Sequence, residues 1–204
     1  MIRLHTTMAS VNGYKIRILL SILGLEWEHV DVDMYAMEHK KEPFLSLNPF
    51  GQMPAMTDGD YTIADSHACL AYWARKYDGG GDWLPEDAEG AAKVAEWLSK
   101  SANEVHNGPW IARAKMRRPD AITIPDEEIH KRCDHILGLM EAHLGGNDWL
   151  ACSHATIAHI SCFAPISFLP DSGYETGKWA NVTAWLDRVR GLPGAIDAEV
   201  NVFN

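Results

Sequence analysis

The chain predicts an α/β half followed by an all-helical half, and three features of the sequence carry that prediction. Strand-like alternation and helix-like periodicity take turns over residues 1–78, while helical spacing alone runs through 89–204. Between them lies a breaker-dense stretch, Gly79-Gly80-Gly81-Asp82 to Pro85-Glu86-Asp87. Residues 79–88 therefore read as a linker between two domains.

Taken in order, Ile2-Arg3-Leu4-His5 alternates as a short strand does. Ile16, Ile18, Leu19, Leu20, Ile22 and Leu23 form a helical apolar run that Gly24 stops. Trp27 to Val32 returns to strand, and Glu38 to Leu47 reads as a helical patch. Ala55-Met56-Thr57 and Tyr61-Thr62-Ile63 flank the hairpin signal Asp58-Gly59. Asp65 to Tyr77 closes the half as a helix, giving the order β-α-β-α-β-β-α. In the second half Val94, Leu98, Ala102 and Val105 repeat at helical spacing, as do Ile129, Cys133, Ile136, Leu137, Met140 and Leu144. Trp179, Val182, Trp185, Leu186 and Val189 give a third stripe. Such helices bury their apolar faces against one another, so this half is a bundle.

The 204 residues carry 47% hydrophobic and 23% charged side chains, ordinary values for a soluble globular protein. A formal charge of -10 argues against nucleic acid or an anionic membrane as the main partner. No apolar run reaches the length of a membrane span, and Met1-Ile2-Arg3-Leu4-His5 leads into polar residues, so a cytoplasmic protein is expected. Cys69, Cys133, Cys152 and Cys162 show no C-x-x-C spacing and are expected as thiols. Of His130, Cys133 and His135 only the first two share a helix face, so no metal site is expected.

Asn48-Pro49-Phe50-Gly51-Gln52-Met53-Pro54 places a proline where a strand ought to begin. Proline cannot donate to a sheet ladder, so Met53-Pro54 marks a special backbone site, expected cis, beside which Met53 can pair with an extended peptide as an added strand would.

This order of elements, with Ser10-Val11-Asn12-Gly13-Tyr14-Lys15-Ile16-Arg17, Leu47 to Pro54, Ala64-Asp65-Ser66 and Trp179 to Pro193, resembles the cytosolic glutathione transferases over nearly the whole chain. The loop at Ser10 is similar to that of bacterial, serine-type members. The resemblance implies a thioredoxin-like first domain, glutathione as co-substrate, a small electrophilic second substrate, a homodimer and a role in detoxification. It implies that Met53, beside Pro54, pairs with the cysteinyl part of the tripeptide. Asp65 and Ser66 would hold the γ-glutamyl end, an arrangement compatible with their capping the helix. His39 and Gln52 would reach the glycine end, although Glu38-His39-Lys40-Lys41 also reads as a solvated helix face. Lys40 and Lys41 are candidates for a local positive field.

The chemistry implied needs a thiolate. A free thiol ionises near pH 8.5, and lowering that by about two units takes roughly 2.7 kcal/mol of preferential anion stabilisation. Ser10 and Asn12 are the candidate donors to sulfur, and the positive end of the first helix adds about 0.3–1 kcal/mol. Both also read as helix caps, and Thr6 and Thr7 compete from the same loop. Tyr14 lies inside the helix, a poorer match to tyrosine-type relatives. Gly13 stands where many relatives carry a cysteine, which disfavours a mixed disulfide with this half. A glutathione peroxidase or disulfide reductase, or a binding module without catalysis, remains as an alternative function.

Asn103 to Arg113 resembles a second-substrate segment of bacterial members, which implies roles there for His106, Trp110 and Arg113. The alternative places Trp110 in the bundle core and Arg113 on the surface. Thr156-Ile157-Ala158-His159 departs from the family's capping box because a histidine replaces the acid. A histidinium there would oppose the helix dipole and weaken the helix, and Pro165 is a candidate kink in it.

Overall fold

In the computed structural model, which describes residues 1–197, the alternation at the amino terminus becomes strand β1 (Ile2–Thr6). Strand β2 (Trp27–Asp31) runs parallel to it, with Ile2 opposite Trp27. Strand β3 (Ala55–Asp58) lies antiparallel on its other side, with Leu4 opposite Met56, and β4 (Tyr61–Ala64) completes the order β2-β1-β3-β4. Helices α1 (Val11–Ile22) and α3 (Ser66–Tyr77) pack on each other. Ile16, Leu19, Leu20, Cys69, Leu70 and Trp73 are buried there, each large aliphatic contributing about 1.5–3 kcal/mol. The Trp73 indole nitrogen donates to Met56 Sδ at 2.9 Å, so its polar atom is satisfied inside the core.

The predicted helical patch from Glu38 to Leu47 is two pieces, a single 3-10 turn at Glu38–Lys40 and one helical turn, α2 (Phe44–Leu47). Pro43 separates them, since proline offers no N–H and steers the residue before it out of the helical region. At the hairpin, Gly59 takes φ 61° as its turn requires. Asp58 then anchors α3, accepting from Tyr72 Oη at 3.0 Å, from Tyr77 Oη at 2.9 Å and from Lys76. Burial alone would raise this carboxyl; the hydrogen bonds outweigh it and hold the group below the usual range.

The described chain divides into two units, Met1–Gly79 together with the segment beginning at Leu192, and Gly80–Gly191. In the first, Tyr14 Oη donates to the Ile196 carbonyl at 2.8 Å. Gly194, at φ 78°, comes so close to α1 that a Cβ there would lie 3.0 Å from Ile22 Cα.

In the second unit the breaker-dense stretch is tied down. Ile157 N donates to the Trp83 carbonyl at 2.9 Å, and His154 Nε2 lies 2.9 Å from the Asp82 carbonyl. Helix α4 (Ala88–Lys100) begins at Asp87, whose carboxylate accepts from Gly90 N at 2.8 Å. It runs into a π-helical segment, Ser101–Trp110, and on into α5 (Ile111–Arg117). Helices α6 (Asp126–Leu144), α7 (Ile157–Ser167) and α8 (Ala180–Arg190) complete the unit, which has no strand among its described residues.

The single stripe predicted from Val94 to Val105 does not hold its register. Val94 and Val105 are buried but Ala102 is exposed, because each widened turn adds a residue and rotates the following side chains. Pro109, which has no N–H to give, sits inside the widened segment. Gly108 lets it approach α6 closely, since a Cβ there would lie 3.1 Å from Arg132 C and Cys133 N. Gly108→Ala is therefore expected to lower stability by about 1–3 kcal/mol, read as an earlier midpoint in urea. An unchanged midpoint would show that the two helices separate freely.

Trp179 stands at the cap of α8, not within it, and supplies no capping side chain. Glu141 of α6 does so instead, accepting from Asn181 N and Val182 N at 3.0 Å each.

The expectation that His159 weakens α7 is overturned. Thr156 N donates to His159 Nδ1 at 2.8 Å and Leu150 N points at Nε2 at 2.8 Å, so the imidazole fills the role of the missing acid in a capping box. Burial pushes the ring down to about 3, and His154 and His143 add to that, so it carries no charge to oppose the dipole at neutral pH. Pro165 lies inside α7 and is buried.

Candidate functional site

Strand β1 ends at Thr6, and four residues later Ser10 N donates to the Thr7 carbonyl at 3.0 Å, closing a tight turn before α1. Ser10 is the cap of that helix, and its Oγ accepts from Gly13 N at 3.0 Å. The hydroxyl thus spends a lone pair on the helix and keeps its own proton to donate elsewhere. No acidic residue occupies the first turn of α1, so the dipole's positive end is not offset there. Asn12, in the same turn, is half-buried.

The competing groups sit differently. Thr6 is fully buried, with Oγ1 3.3 Å from the Thr7 carbonyl, while Thr7 is half-buried. The phenol of Tyr14 is buried and committed to the Ile196 carbonyl. Gly13 has a steric reason to be glycine: a Cβ there would lie 2.6 Å from Thr6 Oγ1 and 2.9 Å from Thr6 Cγ2.

Met53 precedes β3, and its bond to Pro54 is cis, as is that between Glu42 and Pro43. Among the described residues neither the amide nor the carbonyl of Met53 has a backbone partner. Asn48 shapes the loop before it, donating through Nδ2 to the Gln52 carbonyl at 2.6 Å and accepting at Oδ1 from Phe50 N at 3.1 Å. Sequence reasoning missed Asn48, although Asn-Pro-x-Gly is a turn signal in which the amide mimics backbone. Gly51, at φ 58°, lets this loop touch the 3-10 turn, since a Cβ there would meet the His39 carbonyl at 2.8 Å. His39 is half-buried and Gln52 exposed, on two segments in direct contact. Lys40 and Lys41 are exposed, with Nζ atoms 3.3 Å from the Phe50 carbonyl and 2.7 Å from the Ala36 carbonyl.

Asp65 holds φ 75°, a left-handed conformation uncommon for a residue with a side chain. Its Oδ1 accepts from His67 N at 2.8 Å and Ala68 N at 3.1 Å, capping α3. The carboxylate is exposed, and Ser66, the first residue of the helix, is 5% exposed beside it. A non-glycine residue held in such a conformation is a mark of functional sites. Behind this turn Lys15 is buried on α1, with Nζ 3.4 Å from His67 Nε2.

In the helical unit the alternative that put Trp110 in the core and Arg113 on the surface is inverted. Trp110 is half-buried and its ring stacks on that of His106, with centroids 4.4 Å apart. Arg113 is 3% exposed, with its guanidinium 3.8 Å over the Phe168 ring. Burial, and then the nearby Arg117, push it down to about 10, against the pull of Asp171, so it stays charged at neutral pH.

Residues 2–75 match the family model described as glutathione S-transferase, N-terminal domain. The chain is 32% identical to glutathione S-transferase 3 of Zea mays over 94% of its own length and 90% of the relative's. It superposes on the crystal structure of a glutathione S-transferase from Xanthobacter autotrophicus Py2 with a TM-score of 0.89 at 28% identity, covering 98% of this chain and 97% of that one. A glutathione S-transferase from Pseudomonas fluorescens Pf-5 gives 0.88 at 25% identity, covering 97% and 98%.

Proposed function

The chain belongs to the cytosolic glutathione transferase family, and from that premise we propose that it ionises the thiol of glutathione at Ser10 and directs the sulfur at a small, amphipathic electrophile. The observation that carries this reading is the Ser10 hydroxyl itself, which accepts Gly13 N–H at 3.0 Å and so has its proton to give to a sulfur anion. In this reading the tripeptide lies extended along the start of β3, pairing with the Met53 amide and carbonyl. Asp65 takes the ammonium of the γ-glutamyl end, and the Ser66 hydroxyl with the amino end of α3 takes its carboxylate. His39 and Gln52 receive the glycine carboxylate, and Asn12 assists at the sulfur. His106, Trp110 and Arg113 serve the second substrate, the first two as a stacked aromatic wall and Arg113, buried against Phe168, as a charge that acts without direct contact.

The thiol proton passes to solvent, the thiolate attacks an electrophilic carbon, a C–S bond forms, and the leaving group departs with its electron pair. Kinship extends the reading to a homodimeric, cytoplasmic enzyme acting in detoxification. Calorimetry with glutathione, together with turnover of an aromatic halide, tests it; binding and conjugation are both expected. Binding with turnover of a hydroperoxide or small disulfide in place of the halide would redirect the sulfur to peroxidase or reductase chemistry. Binding without any turnover would leave a non-catalytic module.

A further inference from the structure

Arg17 lies in the second turn of α1 and is 7% exposed. Helical side chains lean toward the amino end, and this one reaches back along the helix to the loop that precedes it. Nη2 donates to the Met8 carbonyl at 2.9 Å and Nη1 to Met8 Sδ at 3.4 Å, with the guanidinium 5.5 Å from the centroid of the Tyr14 ring. Taking a guanidinium out of water is costly unless its hydrogen bonds are replaced. Here two of them are replaced, by both acceptors of one loop residue, two places before Ser10. The same loop is closed by Ser10 N donating to the Thr7 carbonyl at 3.0 Å, so Arg17 grips a turn whose last residue is the proposed donor to sulfur.

We propose that Arg17 is a positioning residue for thiolate formation, fixing the Thr7–Ser10 turn so that the Ser10 hydroxyl meets the sulfur, and placing a permanent positive charge behind the turn where the anion forms. The inference rests on the reading of Ser10 as donor. A misplaced donor loses much of its effect even when the fold is intact, and a cation nearby favours the charged form of the thiol.

The test titrates the ultraviolet thiolate absorbance of the protein–glutathione complex for Arg17→Met, Arg17→Lys and Ser10→Ala beside the unaltered chain, with glutathione Kd from calorimetry. Arg17→Met is expected to raise the apparent thiol pKa by about half a unit to one unit and to cut kcat/KM at neutral pH by about threefold to tenfold. Its Kd is expected to change by less than about twofold, and Arg17→Lys, which keeps the charge but not the two-pronged grip, to fall between. An Arg17→Met protein that binds glutathione and titrates like the unaltered chain overturns the inference. Should that variant not fold, Arg17→Lys decides in the same way, and an unshifted titration overturns it. A shifted Ser10→Ala with both Arg17 variants unshifted sinks only the role of Arg17; an unshifted Ser10→Ala sinks the reading beneath it.

Discussion

Ser10→Ala is expected to raise the apparent pKa of the bound thiol by about one to two units, because a hydrogen bond to a charged group is worth about 1.5–3 kcal/mol and one unit is about 1.36 kcal/mol. Below the pKa the thiolate fraction falls tenfold per unit, so turnover at neutral pH should drop by about tenfold to a hundredfold. The loss should shrink as the pH rises, since both proteins become fully thiolate above the higher pKa, and the two pH–rate profiles should converge in alkali. Ser10 also caps α1, so the variant is expected to lose about 1 kcal/mol of stability. Ser10→Gly, which caps nearly as well without a hydroxyl, separates the two effects. Superimposable profiles would move the donor to Asn12 or Thr7.

Acid is expected to destabilise the helical unit through His159, beginning below about pH 6.5. The ring is pushed down to about 3 in the folded chain, chiefly by burial, whereas it ionises near 6.5 when unfolded. Between those values the unfolded chain binds a proton that the folded one refuses, so stability is whole above about pH 6.5 and falls with the pH by up to about 1.4 kcal/mol per unit. Backbone N–H groups of Thr156 and Leu150 point at the two ring nitrogens; a neutral ring accepts at one nitrogen and an imidazolium at neither, so protonation removes the acceptor. His143 and His154 also face this region, one near the Trp149 carbonyl at 3.2 Å and the other near that of Asp82. Over the window the loss is on the order of 4–5 kcal/mol, a large share of a typical domain's 5–15 kcal/mol. Urea unfolding at a series of pH values measures the slope. His159→Gln should flatten it by about one proton's worth; equal slopes in the two proteins would show that the ring titrates normally in place.

The first unit was the more legible because its signals are local. Alternation in β1, the stop at Gly24, the Asp58-Gly59 turn and the serine before α1 each act within a few residues, and each stands where the sequence puts it. The helical patch from Glu38 to Leu47 breaks in two because Pro43, across which propensity was read, interrupts the hydrogen-bond ladder. In the second unit the decisive partners are far apart in sequence: Glu141 caps a helix 40 residues on, and Phe168 covers the guanidinium of Arg113. No periodicity reports such pairings. The charge of His159 was misjudged because a sequence gives the residue but not its desolvation. At the candidate site the motif residues were visible, while their supports, Asn48 and Arg17, came into view only with the loops they brace.

Tyr14 sits near the start of the chain, yet the carbonyl its hydroxyl needs belongs to Ile196. On the ribosome the leading lobe emerges first and can begin to fold at once, but it waits for the trailing segment before that buried phenol has its acceptor. A fragment cut at Gly79 would carry the sheet and the turn at Ser10 while missing this latch. The Ser10 cap and the Arg17 grip close within the first lobe, whereas the Tyr14 bond at the amino end of α1 closes only after the intervening helices have been made.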